Sequence, residues 1–230
     1  MSGSVRILKY LMNLGLDYTQ KDSSGRKPIH YACEHGDIEA VAILIDEDID
    51  EPDTNGMRPI HFAASNGCFH IVSLINIKGG DINSGDSTGK TPLMYSAGIG
   101  DIESAELFLE NSTNINDQTN NGWTALHYAA ETKQFKMIKY LAERSANVNV
   151  RNKYGTAPIH ISVLNDDIKS IEVLLDNGAS VDFKDNKGMS PLDIAINNKS
   201  EEVSLLLSKY TESTKKTSTP GSPLLKKKLM

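Results

Sequence analysis

Six short phrases in this chain are variants of one another: GRKPIHYAC from Gly25, GMRPIHFAA from Gly56, GKTPLMYSA from Gly89, GWTALHYAA from Gly122, GTAPIHISV from Gly155 and GMSPLDIAI from Gly188. Successive glycines are 31, 33, 33, 33 and 33 residues apart. A register held that closely, while a proline, an aliphatic residue and a histidine stay aligned, makes the chain a tandem array of one structural unit. No such unit can bury its apolar face alone, so each must stack on its neighbours.

Each part of the phrase has a physical task. Thr91 and Ser190 are placed to cap a helix, and Pro92 and Pro191 occupy its first turn, where no backbone N–H is needed. Small residues follow, Ala63 and Ala64 or Ala129 and Ala130, which let neighbouring helices approach to about 8 Å. A second helix is expected through DIEAVAILI (37–45), DIESAELFLE (101–110) and DIKSIEVLL (167–175), where apolar residues recur at helical spacing. NGASVDFKD (177–185) then supplies a glycine to stop that helix and a short extended turn into the next unit.

The 33-residue period with its T-P-L-H-x-A core resembles the ankyrin repeat, and the resemblance runs from about residue 4 to residue 210. It implies an all-α ankyrin-repeat solenoid of stacked helix-turn-helix units with projecting β-hairpin-like loops. The expected domain is 1–210, with a half-repeat at 4–20 and full repeats at about 21–50, 51–83, 84–116, 117–149, 150–182 and 183–210. The half-repeat supplies only a second helix; either that lone helix caps the stack, or the chain is a fragment of something longer. At the other end Asp193 replaces the histidine, and SEEVSLLLSK opens with a cap at Ser200 and two acids, which reads as a finished terminus. In the fifth repeat, Ser162-Val163 in place of Ala-Ala and Asn165-Asp166 in place of the usual glycine predict local looseness. Asn83, Asn116 and Asn149 match the turn asparagine that steadies the ankyrin loop and is hydroxylated in some members.

Residues 211–230 are expected to form a disordered basic tail rich in Ser, Thr, Pro and Lys. Thr219-Pro220 and Ser222-Pro223 are candidate phosphorylation sites there, between Lys215-Lys216 and Lys226-Lys227-Lys228, which together resemble a bipartite nuclear-import signal. The tail holds five lysines and one glutamate, so the net charge of −6 becomes −10 over residues 1–210. An acidic body argues against broad nucleic-acid binding, whose phosphates need a basic face. Two cysteines, Cys33 and Cys68, are too few for a disulfide framework. No apolar stretch approaches the ~18 residues needed to span a bilayer, and the opening residues do not read as a signal peptide. The expected location is cytoplasmic or nuclear.

Chemistry finds no motif: G-x-S-x-G, the Walker A loop, H-E-x-x-H and C-x-x-C are all missing. Four of the six histidines, His30, His61, His127 and His160, hold one place in the phrase. Stacked equivalents about 8 to 10 Å apart cannot share a metal, whose nitrogen ligands sit at about 2.1 Å; the resemblance makes them instead the ankyrin histidines that bond to the backbone of adjoining loops. Neither a cofactor nor a metal is expected. The densest acidic run, DEDIDEPD at 46–53, reads as a solvated, self-repelling loop or as an edge that attracts a basic partner.

In ankyrin proteins the residues that vary, around the turn glycine and just after the A-A step, line the concave face and loop tips. Carried onto this chain they give Met57, Lys90, Ile99, Trp123, Glu131, Tyr154, Leu164 and Met189 as candidate partner-binding residues. Ile99, Trp123, Tyr154 and Leu164 fall on successive units and are expected to form one exposed apolar patch. Trp123 is equally placed to pack over the adjoining loop. The resemblance implies a monomeric, non-enzymatic protein-protein interaction module, a scaffold, adaptor or inhibitor, with no nucleic acid, membrane insertion or small-molecule substrate. Two other readings stay open: the ankyrin segment of a larger kinase or channel, or a gankyrin-like proteasome assembly chaperone, the latter on size and repeat number alone.

Overall fold

The structure, a computed structural model, describes residues 3–15, 17 and 19–217. Among these residues there are thirteen helices and no strand. Helix α1 (Gly3–Asn13) stands alone and six pairs follow: α2 (Pro28–Glu34) with α3 (Ile38–Asp48), α4 (Pro59–Ser65) with α5 (Phe69–Ile77), α6 (Pro92–Ile99) with α7 (Ile102–Glu110), α8 (Ala125–Glu131) with α9 (Phe135–Glu143), α10 (Pro158–Leu164) with α11 (Ile168–Asp176), and α12 (Pro191–Asn197) with α13 (Glu201–Thr217). The even-numbered helices pack on one another in order from α2 to α12, and α1 packs on α3 in the second layer, as do α3 on α5 and α5 on α7. Ala63, Ala64, Ala97, Ala129 and Ala130 are wholly buried in the inner layer, where their small size permits the close stacking. The chain is an all-α solenoid.

Loops are held from both sides. Each projecting turn closes on itself through bonds such as Asp53 N–H to Met57 O (2.9 Å) and Asn152 N–H to Thr156 O (3.0 Å). Neighbouring tips are tied in series, Thr54 N–H to Ser24 O, Ser87 to Asn55, Asn120 to Thr88, Lys153 to Asn121 and Asn186 to Tyr154, at 2.8 to 3.0 Å. Below them sit the histidines. The Nδ1 atoms of His30, His61, His127 and His160 accept from the backbone N–H three residues earlier, at 3.0, 2.9, 3.1 and 3.2 Å. That assigns the proton to Nε2, which donates to the carbonyls of Glu51, Ser84, Thr156 and Phe183 at 2.8 to 3.0 Å. Burial holds all four imidazoles below their ordinary range, His127 at about 4.

The carbonyl oxygens of Asn116 and Asn149, and the carboxylate of Asp50 at the equivalent place, each accept a backbone N–H from the next repeat at 2.8 Å. Asn83 accepts instead from the Thr113 hydroxyl.

Four sequence expectations need correction. Ser190 caps α12 by accepting from Asp193 N–H, but Thr91 does not cap α6; its hydroxyl is buried without a partner. Met94 accounts for the unpartnered hydroxyl, for in the next repeat Thr124 Oγ1 meets His127 Nδ1 at 2.9 Å. Nor is the fifth repeat loose. Ser162 and Val163 are wholly buried, Asp166 takes the left-handed turn at φ 54°, and Asn165 Nδ2 donates to the Ala130 and Glu131 carbonyls at 3.2 and 3.0 Å.

The acidic run is not a self-repelling free loop: residues 46–48 end α3, Asp46 pairs with Lys78, Asp48 with Lys27, Glu51 with Lys21, and Asp53 with Arg26. Finally, α13 continues to Thr217, past the boundary expected at 210. No proline or glycine interrupts 201–217, and Tyr210 hydroxyl donates to Asp176 at 2.8 Å, anchoring the extension to α11. The phosphorylation candidates at Thr219 and Ser222, and Lys226 to Lys228, lie outside the described residues.

Candidate functional site

Along the inner face, the residue after each turn glycine takes one register position: Arg26, Met57, Lys90, Trp123, Thr156 and Met189. A second register position, five residues on, is Tyr31, Phe62, Tyr95, Tyr128, Ile161 and Ile194. The two sets interleave. The Arg26 guanidinium lies 5.7 Å from the Tyr31 ring and 4.4 Å from the Phe62 ring of the next repeat, within cation-π range. Its Nη1 donates to Glu34 Oε2 at 3.2 Å and its Nε stands 3.5 Å from Asp53 Oδ2. Lys90 sits in the same way between Tyr95 (4.0 Å) and Tyr128 (4.1 Å). Burial there lowers the Lys90 ammonium below the usual lysine range, against the pull of Asp86 and Glu131. Burial, then a hydrogen bond to Asp86 (2.7 Å), holds the Tyr95 phenol well above its usual range.

At Thr156 the pattern stops. A short side chain stands where a long one stood before, and the flanking register positions are Ile161 and Ile194 instead of rings. A groove of about 460 Å³ opens at that point, with Trp123, Tyr154, Ile161 and Leu164 as apolar lining and Glu131 and Asp185 among its polar groups. A second hollow of about 410 Å³ adjoins it, shares Trp123, Glu131 and Tyr154, and extends over Tyr128. Asp185 Oδ1 accepts from the N–H groups of Lys187 and Met189 at 2.8 and 2.9 Å, in the manner of Asp86. Its other oxygen lacks the donor that Asp22 and Asp86 have in the hydroxyls of Tyr31 and Tyr95, because Ile194 has none to give.

The structure therefore brings together four of the eight candidate residues, Trp123, Glu131, Tyr154 and Leu164. Tyr154 is 60% and Leu164 56% exposed. Trp123 is half-buried, its ring 5.1 Å from Tyr128, so it is a wall of the groove as well as packing for the loop. Ile99 does not join them: a Cβ added to Gly67 would meet its Cδ1 at 3.3 Å, so it faces the second repeat. Lys90 fills its own slot, and Met57 and Met189 are half-buried against the core. Sequence reasoning missed Tyr128, Ile161 and Asp185. The signal was present as a count of nine residues from each turn position to its inner-helix partner, Asp86 to Tyr95 but Asp185 to Ile194.

Among the described residues no cluster of three or more His, Cys, Asp or Glu could hold a metal ion, and no helix is long and apolar enough to cross a membrane. Cys33 is wholly buried, and burial pushes its thiol far up, away from reactivity.

No curated protein matches the sequence. The crystal structure of the human ASB11 ankyrin repeat domain is similar with a TM-score of 0.80 and 22% identity, over 89% of this chain and 93% of that one, a likeness of fold. A family model described as ankyrin repeats (3 copies) matches residues 1–86, 73–152 and 145–217. With its stacked helix pairs, cross-tied turns and histidine clamps, the chain belongs to the ankyrin-repeat family.

Proposed function

We propose that this protein is a non-catalytic binding module, a scaffold, adaptor or inhibitor, that holds another protein against the inner face and loop tips of its fourth to sixth repeats. Ankyrin repeats are in general protein-protein interaction modules. The observation that carries the proposal for this chain is the groove at Thr156, where Tyr154 and Leu164 stand exposed beside a half-buried tryptophan. Aromatic anchors in a pre-formed hollow are the usual energetic centre of an interface, and a rigid stack loses little entropy on docking. We place the module in the cytoplasm or nucleus as a monomer.

The test is affinity capture from native extract with the wild type beside a Tyr154→Ala/Leu164→Ser variant. Both substituted side chains are exposed, so the melting temperature should hold, whereas Trp123→Ala would also strip packing from Tyr128. A protein retained by the wild type and lost from the variant is expected; identical captures from both would remove the groove from the interface.

A further inference from the structure

We infer that the open slot at Thr156 receives a basic side chain, an arginine or lysine, from an extended segment of the partner protein. This rests on the docking-face reading above and names the chemistry of its occupant. The molecule contains its own precedents. Two of the slots along the inner face are filled by cations, Arg26 and Lys90, each lodged between groups of consecutive repeats. Where Thr156 leaves the same register open, a side chain from outside can take the place.

One acid at the slot matches one that holds Arg26: Asp185 stands three residues before Gly188 as Asp53 does before Gly56, while Leu164 takes the place of Glu34 and the second acid, Glu131, comes from the preceding repeat. Glu34 and Asp53 pair with Arg26, while neither Glu131 nor Asp185 enters an ion pair among the described residues, and both line the groove. Lys187 also lines it, which leaves an excess of one negative charge among the lining groups. Trp123 and Tyr154 add aromatic faces suited to a guanidinium or ammonium. The charge of −10 on residues 1–210 would draw a basic segment toward the face before contact.

The experiment selects a displayed library of random linear peptides on the full chain and measures the recovered peptides by fluorescence anisotropy. Variants are Thr156→Arg, which fills the slot from within, Asp185→Asn, Glu131→Gln and Tyr154→Ala, each checked for unchanged helical content and melting. Peptides sharing an arginine or lysine are expected, with affinity lowered about tenfold or more, roughly the worth of one good contact, by alanine at that residue or by Thr156→Arg, and with a shallower salt dependence for Asp185→Asn and Glu131→Gln. Peptides that Tyr154→Ala releases but that share no basic residue, or that ignore Thr156→Arg, would overturn the basic slot and leave the docking face standing. Peptides indifferent to every variant would remove the docking face and the slot together. A rise in affinity of about tenfold on deleting residues 218–230 would make the chain's own lysines the occupant and overturn the assignment to a partner.

Discussion

At the start of the stack, Arg26 lies over Tyr31 and Phe62 with Glu34 and Asp53 at its guanidinium; near the end, Thr156 holds the same register beside Ile161, with Leu164 and Asp185 at the equivalent positions and no side chain of the described residues filling the gap. The backbone plan is one and the same, with a histidine clamping the loop in both repeats. What differs is whether the cation between the repeats belongs to the chain. A filled slot contributes to folding, and an open one keeps its acids and apolar walls available for something else.

The largest effect tests what the two regions share. An unfolded histidine takes up a proton below its ordinary value of 6.5, but native His127 resists protonation down to about 4, and burial lowers His30, His61 and His160 in the same direction. Unfolding therefore binds protons in that window, so stability is complete above pH 6.5 and drains as pH falls toward 4. His127 alone accounts for about 3 kcal/mol across it, and the other three rings add to that. Asp22 and Asp193, held low chiefly by bonds from Tyr31 and Ser190, weaken the fold only below the usual carboxylate value of 3.8. Urea midpoints followed through the window should fall steadily in the wild type and less steeply in His127→Gln. A flat profile would mean that the clamps do not bind the loops as described.

Next in size is the contrast itself. The Asp53 side chain is 0% exposed, and Arg26→Ala would leave it buried without a counter-ion, a cost of about 3 kcal/mol. The same substitution at position 156, Thr156→Ala, should stay within about 0.5 kcal/mol. Equal losses in urea unfolding would erase the distinction between the slots. The complementary variant, Thr156→Arg, should raise stability by about 1 kcal/mol if the acid of Asp185 receives it as Asp53 receives Arg26, with Trp123 of the preceding repeat standing in for the rings that Ile161 and Ile194 replace. Adding Asp185→Asn should cancel much of that gain, and a gain that survives would place the new guanidinium elsewhere.

The stack and its period were legible because they depend on one repeated phrase, and so were the places of the four histidines. The acidic run was misread because its partners lie far off in sequence: Lys27 reaches Asp48 across the helix pair of one repeat, and Lys78 meets Asp46 only once adjacent repeats are stacked. The groove was half legible. Tyr154 and Leu164 follow from position alone, but a hollow is the joint result of a short Thr156, an aliphatic Ile161 and an Asp185 deprived of its phenol, three facts from two repeats. Ile99 was grouped with Trp123 by repeat order, whereas its side chain reaches back toward Gly67. Adjacency along the solenoid is not the same as convergence on one hollow.

The smallest effect concerns the turn between the paired helices, where the first three repeats place Gly36, Gly67 and Gly100 at positive φ and the last three place Lys133, Asp166 and Lys199 at φ 60°, 54° and 57°. A lysine in the left-handed region carries a steric cost of about 1 to 2 kcal/mol that glycine avoids, while glycine surrenders more freedom on folding. Lys133→Gly should therefore gain up to about 1 kcal/mol. Asp166→Gly should gain little, because a short polar side chain tolerates this conformation. Stability in a stack is close to a sum of unit and interface terms, so the relief should appear as a later melt of the groove-bearing half while peptide affinity at Thr156 stays the same, Lys133 being no part of the lining. A lower melting temperature for Lys133→Gly would show that its side chain holds the turn by a contact worth more than the strain, and would remove the supposed weakness from the half of the molecule that binds.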